Sequence, residues 1–114
     1  MSLASEIQAE MENATAARAA GNEGRARVCA RRAAGMAARD FLTRHAFLSY
    51  GDAQGEDRKN SVYETLQTLV SFPGLDPDLK IATMHMTMRV SEEFHLPPGI
   101  DLIAEAYKII RGLK

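Results

Sequence analysis

Arginine is the residue type whose spacing in this chain most suggests chemistry. Arg18, Arg25, Arg32 and Arg39 follow one another at intervals of seven residues. The stretch 25–45 contains six arginines and one aspartate, a local charge of +5 with histidine neutral. A seven-residue step turns a helix by only about 20°, so the last three of these arginines should form one stripe that can bind phosphate or another anion.

The same arginines also have a purely structural interpretation. The preceding segment contains three glutamates that can pair with them, Glu6, Glu10 and Glu12. No aromatic residues alternate with the arginines, as they do in many surfaces that stack bases. The arginines therefore have two interpretations. They form a solvated or salt-bridged helix face, or they form a surface that binds anions or nucleic acid.

Arg89 and His95 form a second candidate site. A guanidinium group and an imidazole that titrates near neutral pH suit the cleavage of a phosphodiester bond. The alternative is a surface arginine at a helix end and a solvated histidine in a linker. Since the chain has three histidines and many arginines, such a pair also arises easily by chance.

Other patterns of potential ligands predict no metal and no cofactor. The run Met-His-Met-Thr-Met at 84–88 has Cu(I) ligands, but alternate residues of a helix point in different directions, so these methionines are expected to fill the core. Glu92 and His95 match half of a di-iron carboxylate motif, and the second half is missing. Cys29 lies beside an alanine-rich face, where a thiol usually acts as a small buried hydrophobe.

Length and composition predict one domain, residues 1–114. Hydrophobic residues make up 46% and charged residues 25%, as in ordinary folded proteins. The net charge of −1 creates no general attraction to nucleic acid or to anionic lipid. We expect a cytoplasmic protein without a membrane segment, because the N-terminus is acidic and apolar runs are short. The single cysteine, which excludes an intramolecular disulfide, agrees with a reducing compartment.

Periodicity and capping residues predict five helices and no strand. The first two, at 2–20 and 23–45, are separated by Gly21 and Asn22. The third starts near Ser61 and ends before the proline at 73, the fourth runs from Asp76 to about Glu92, and the fifth covers 100–113. The stretch 46–60 is interpreted as a mobile loop. Predicted core positions include Met11, Ala14, Ala26, Ala30, Ala33, Ala37, Phe41, Leu66, Leu69, Ala82, Met86, Ile103, Ala106 or Tyr107, Ile110 and Leu113.

Two segments resemble HEPN domains, a family of helix bundles. Residues 21–34 (GNEGRARVCARRAA) are similar to the second helix of the family, where a turn leads into an alanine-rich segment. Residues 89–103 (RVSEEFHLPPGIDLI) resemble the linker and closing helix of some prokaryotic members. Together these segments cover about a quarter of the chain.

The resemblance implies two kinds of function. Many HEPN domains are metal-independent ribonucleases with an arginine followed a few residues later by a histidine; by this resemblance, Arg89 would stabilise phosphate charge and His95 would assist attack by the 2′-hydroxyl. Other members are non-catalytic modules that dimerise, bind ligands or act with nucleotidyltransferases. We therefore predict an all-α, up-and-down bundle of four to five helices, serving as a non-catalytic interaction module in a homodimer or with a nucleotidyltransferase-type partner. A ribonuclease, or a bundle that binds anions or nucleic acid through Arg25, Arg32 and Arg39, is the alternative.

Overall fold

Five α-helices form the described part of the chain. The computed structural model describes residues 2–45, 62–87 and 100–113. Its helices are α1 (Leu3–Ala19), α2 (Glu23–Arg44), α3 (Val62–Val70), α4 (Pro77–Met86) and α5 (Leu102–Gly112), and these ranges contain no strand. The predicted all-α helical bundle is confirmed. The interpretation of 46–60 as a loop lies outside the described residues.

A sharp turn joins α1 to α2. Gly21 has a φ of 83°, in the left-handed region that glycine adopts with little strain. The N–H of Asn22 donates to the carbonyl of Ala17 at 2.8 Å, and Asn22 Oδ1 accepts the N–H of Arg25 at 3.1 Å. This closes one helix and caps the next, as predicted. The short connection makes α1 and α2 antiparallel neighbours.

The central helix is α2, which packs against α1, α3 and α5. Its buried surface consists mostly of small side chains, which allow neighbouring helices to approach closely. The buried residues are Ala26, Cys29, Ala30, Ala33, Ala34, Gly35, Ala37, Ala38 and Leu42. All four alanines of the predicted stripe are among them. Phe41 is only partly buried at the edge of the core, and Leu42 is fully buried instead.

Close contact between α2 and α3 depends on Gly35. A Cβ atom at this position would lie 2.9 Å from Val62 Cγ1, so the absence of a side chain lets α3 pack against α2. Farther along, the ring of Phe72 meets that of Phe41 edge-on with centroids 4.9 Å apart. Gly35 faces Val62 and Arg39 reaches Thr65, so contacts progress along both helices in the same order and α3 runs along α2 in the same direction.

Aspartates cap the N-termini of α4 and α5. Asp76 Oδ1 accepts the N–H of Asp78 at 2.8 Å, which confirms the predicted start of α4. Asp101 Oδ1 accepts the N–H groups of Ile103 at 3.0 Å and Ala104 at 3.3 Å. Each carboxylate satisfies donors that the first turn of its helix leaves without a carbonyl partner.

The α4 helix ends at Met86, earlier than the predicted end near Glu92. Thr87 closes the helix, because its hydroxyl donates to the carbonyl of Met84 at 2.9 Å and its N–H donates to the same carbonyl at 3.1 Å. A threonine that bonds to the preceding turn competes with continued helix. The pattern of apolar residues did not reveal this local stop.

The α5 helix packs against both α2 and α4. Ile109, which the apolar stripe predicted for this helix did not include, is fully buried, whereas the predicted Ile110 is partly buried. Because α5 contacts two helices, a wider part of its circumference is buried than one apolar stripe would cover. In the described ranges, no helix has both the length and the hydrophobicity needed to cross a bilayer.

Candidate functional site

The three arginines of the predicted stripe differ in exposure and in contacts. Arg25 and Arg32 are exposed, and neither forms an ion pair with another residue of the described ranges. Arg39 is half-buried, and its Nη2 donates to Thr65 Oγ1 at 3.3 Å across the α2–α3 contact. Of the three, Arg25 and Arg32 are therefore the ones open to solvent, and Arg39 takes part in helix packing.

A valine lies between the two exposed arginines. Val28 is three residues after Arg25 and four before Arg32, so the three side chains lie along one line of α2. Val28 is 44% exposed, a high value for a branched apolar side chain. We call Arg25, Val28 and Arg32 the arginine face. The sequence pattern missed the valine as a surface residue, although its spacing from the arginines placed it on their side of the helix.

The arginines of α2 that form ion pairs do so mostly within their own helix. Arg44 Nε donates to Asp40 Oδ2 at 2.8 Å, and Arg27 Nε lies 3.8 Å from Glu23 Oε2. Within the described ranges, the arginine face forms no ion pair with the glutamates that the sequence offered as partners, Glu6, Glu10 and Glu12. As far as the described residues go, the arginine face is thus solvated rather than salt-bridged.

Arg31 has a structural role on the other side of α2. Its Nε donates to the main-chain carbonyl of Met86 at 2.9 Å, at the end of α4 where carbonyl groups lack helical partners. Burial lowers the pKa of the Arg31 guanidinium, and the positive charge of nearby Arg27 lowers it further. This arginine ties α2 to α4.

An ion cluster at one end of the bundle connects three helices. Arg18 donates to both carboxylate oxygens of Glu23, at 3.1 and 2.7 Å, and to both oxygens of Asp101, at 3.0 and 3.1 Å. These contacts join α1, the start of α2 and the N-cap of α5. No local sequence pattern indicates this cluster, since Asp101 lies 83 residues from Arg18.

The cluster shifts the pKa values of its members. Hydrogen bonding from Arg18 is the main cause that lowers the pKa of Glu23. Burial opposes ionisation of Asp101, but the hydrogen bond from Arg18 and the N–H of Ala104 outweigh it, so the pKa of Asp101 is also lowered. Hydrogen bonding to Glu23 contributes most to raising the pKa of Arg18. All three groups are therefore charged at neutral pH.

The cluster predicts a stability difference that depends on pH. Replacing Arg18 with methionine should lower the free energy of unfolding by about 1 kcal/mol at pH 7, because these pairs are partly exposed. The pKa values of Glu23 and Asp101 are lower in the folded state than in the unfolded state, where they are near 4. The stabilisation is therefore fully present above about pH 4 and is lost as the pH falls through the pKa values of the folded state. Urea unfolding at about pH 7 and pH 3 measures this difference.

The matched control is Arg25→Met, which removes an exposed arginine that has no ion-pair partner in the described ranges. Its free energy of unfolding should differ little from that of the wild type, and the difference should not change with pH. If the free energies of unfolding of the wild type and Arg18→Met differ by the same amount at neutral and acid pH, the ion cluster does not stabilise the fold as proposed.

The methionine and histidine run at the end of α4 points in several directions, as predicted. Met86 is fully buried, as expected for a methionine that fills the core, but Met84 is 51% exposed, so the same expectation is wrong for Met84, which lies on the solvent side of α4. His85 Nδ1 lies 3.0 Å from Glu105 Oε2 on α5. In the described ranges, no group of three or more histidine, cysteine or acidic side chains is placed to hold a metal ion. Cys29 is 1% exposed, in agreement with its predicted role as a buried hydrophobe.

The predicted pair of Arg89 and His95 lies outside the described residues, as does Glu92. The structure therefore neither joins nor separates these side chains. No protein-family model, curated protein or solved structure matches this chain. On the arginine face, two positive charges that have no ion-pair partner in the described ranges flank an exposed apolar side chain.

Proposed function

We propose that this chain is a non-catalytic, HEPN-like interaction module of the cytoplasm that binds an acidic surface of a partner protein. The observation that supports this function is the arginine face, with Val28 exposed between two guanidinium groups that have no ion-pair partner in the described ranges. Arginine is enriched in protein interfaces, and complementary charges steer association. The valine supplies apolar area that loses contact with water on binding.

The partner is a different protein, such as one of the nucleotidyltransferase type, rather than a second copy in a symmetric dimer. In a two-fold dimer formed through the arginine face, the same patch of both subunits would meet, which would place arginines against arginines. The small side chains of α2, which could otherwise let a second copy approach closely, are buried in the bundle, where α2 packs against its neighbours. We expect a monomeric mass by light scattering at micromolar concentration, and a dimeric mass would instead favour self-association through another surface.

Charge reversal tests the proposed interface. The tagged full-length chain and its Arg25→Glu/Arg32→Glu variant are expressed in the native host, and co-purified proteins are quantified by mass spectrometry. A partner with an acidic surface should be recovered at least about ten-fold less with the variant, since opposite charges become like charges. That partner should also dissociate as the salt concentration is raised.

The matched control changes the net charge equally at another surface. Lys80 is exposed and lies outside the arginine face, so Lys80→Glu alters total charge by the same amount as the single variant Arg32→Glu and leaves the arginine face unchanged. Recovery of the same partner with this control is expected. If the wild type and the arginine-face variant recover the same proteins in equal amounts, this interface is wrong.

A metal-independent ribonuclease is the second candidate, and it rests on the spacing of Arg89 and His95. Incubation of the full-length chain with RNA in EDTA distinguishes it from a non-catalytic module. Cleavage that is lost in His95→Ala supports the enzyme, whereas the proposed module leaves RNA intact. RNA that is bound but not cleaved, with affinity lost in Arg25→Glu/Arg32→Glu, would assign the arginine face to nucleic acid.

A further inference from the structure

A cleft between α4 and α5 has the chemistry of a binding site for a small molecule. Its volume is about 530 Å³, within the usual size of ligand sites, and it is shallow and broadly open to solvent. The cleft lies away from the arginine face, on helices that do not include α2. Its lining residues are Asp76, Leu79, Ala104, Tyr107, Lys108, Arg111 and Gly112.

The floor of the cleft depends on close packing between the start of α4 and the end of α5. Gly112 has no Cβ, and an added Cβ would lie 2.5 Å from Leu79 Cδ2. Leu79 therefore occupies the space that a larger residue would fill. With Ala104, it contributes apolar surface to a lining that also contains charged groups.

Two cations stand on the α5 wall. Ala104, Lys108 and Arg111 are spaced by four and three residues, so they lie along one side of the helix. The Arg111 guanidinium lies 5.7 Å from the centre of the Tyr107 ring and forms no ion pair in the described ranges. Arg111 is therefore available to a ligand, and Lys108, which also has a long ion pair with Glu105, is 54% exposed.

The acid groups around the cleft are already engaged. Glu105 Oε1 lies 3.8 Å from the Lys108 ammonium, a long ion pair, and Glu105 Oε2 lies 3.0 Å from His85 Nδ1. On the opposite wall, Asp76 Oδ1 accepts the N–H of Asp78 at 2.8 Å. Two positive groups and one carboxylate line the cleft, so its balance favours an anion with a single negative charge.

We propose that this cleft binds a small organic carboxylate with a flat apolar body. The guanidinium of Arg111 has the planar donor geometry that matches a carboxylate, and Lys108 adds a second positive charge. The apolar body lies on Leu79 and beside the Tyr107 ring. Asp76 disfavours a second negative charge at the far end of the ligand. This site is independent of the partner surface on α2.

Titration of the isotope-labelled full-length chain with 3-phenylpropionate, followed by NMR, tests the proposal. Amide signals of the α4 start and the α5 end should shift in a saturable manner. The neutral analogue 3-phenylpropanamide has nearly the same shape and should bind at least about ten-fold more weakly, because it lacks the charge that the two cations recognise. Equal affinity for both compounds would overturn the proposal, whatever the variants do.

Three variants locate the interaction. Arg111→Met should weaken binding of 3-phenylpropionate at least about ten-fold, while Arg32→Met on the arginine face should leave it unchanged. Asp76→Asn retains a capping side chain and should improve binding of the dianion phenylsuccinate several-fold. Shifts scattered over the molecule, or equal losses in Arg111→Met and Arg32→Met, would mean that no such site exists.

Discussion

Replacing Gly35 with valine should lower the free energy of unfolding by about 2–3 kcal/mol, the upper part of the usual range for overpacking a dense core. The first added carbon would already lie 2.9 Å from Val62 Cγ1 and 3.3 Å from Val62 Cγ2. Val62 cannot swing away easily, because a β-branched side chain has few allowed rotamers, so α3 would have to move. We expect a decrease of about 10 °C in the midpoint of thermal unfolding, with urea unfolding as the second measure.

The same helix offers a matched control. Gly24 is also in α2, but a Cβ there would meet only Asn22 Oδ1 at 3.9 Å, an ordinary contact. Gly24→Val should therefore be neutral or slightly stabilising, since valine has a higher helix propensity than glycine. If both valine variants lose the same stability, the cause is the helix backbone and not the contact with Val62.

A double variant measures the contact directly. In Gly35→Val/Val62→Ala, the methyl groups that meet the new side chain are gone. The two changes together should cost at least about 1 kcal/mol less than the sum of the single changes, which is the size of coupling found between touching residues. Additive costs would show that Gly35 and Val62 do not limit each other.

The ends of the helices that have short-range signals were predictable. The capping and turn residues Gly21, Asn22 and Asp76 act on backbone groups within a few residues of themselves. Their effect can therefore be predicted from the local sequence. The end of α4 was missed because Thr87 closes the helix by a hydrogen bond to Met84, an option that apolar periodicity does not record. Local sequence thus defines boundaries where a glycine or a capping side chain acts.

Contacts between distant segments were not predictable. The hydrogen bonds of Arg18 reach Asp101, and Arg31 reaches Met86 on another helix. Nothing in the spacing of the arginines distinguishes such structural arginines from exposed ones. That distinction depends on which helix packs against each side of α2, and it comes from the three-dimensional arrangement.

The candidate surface illustrates this limit. Seven-residue spacing placed Arg25, Arg32 and Arg39 on one side of a helix, and this part follows from helix geometry alone. Exposure differs among them because α3 begins to cover α2 near Gly35, so Arg39 meets Thr65 while the other two stay in water. The spacing of the arginines therefore predicted only part of the arginine face. It did not predict the exposed Val28 between them.

Among the substitutions considered, truncation of Leu42 should cause the greatest loss of stability. Leu42→Ala should lower the free energy of unfolding by about 3–4 kcal/mol, because Leu42 has no exposed surface and its truncation leaves a cavity. The apolar pattern had favoured its neighbour Phe41, on the line of the buried alanines. A helix with neighbours on three sides buries a wider arc, so the line through Ala34, Ala38 and Leu42 is buried as well.

Two control variants show whether burial, and not the loss of an apolar side chain as such, sets this cost. Ile81 is 52% exposed on α4, so Ile81→Ala should change stability by less than about 0.5 kcal/mol. Phe41→Ala removes more atoms than Leu42→Ala, yet Phe41 is only partly buried, with its ring against Phe72 and His45. We expect its cost in urea unfolding to lie between the other two. A greater loss for Phe41→Ala than for Leu42→Ala would mean that the core of α2 follows the single line of the apolar pattern, and that α3 and α5 do not cover the second.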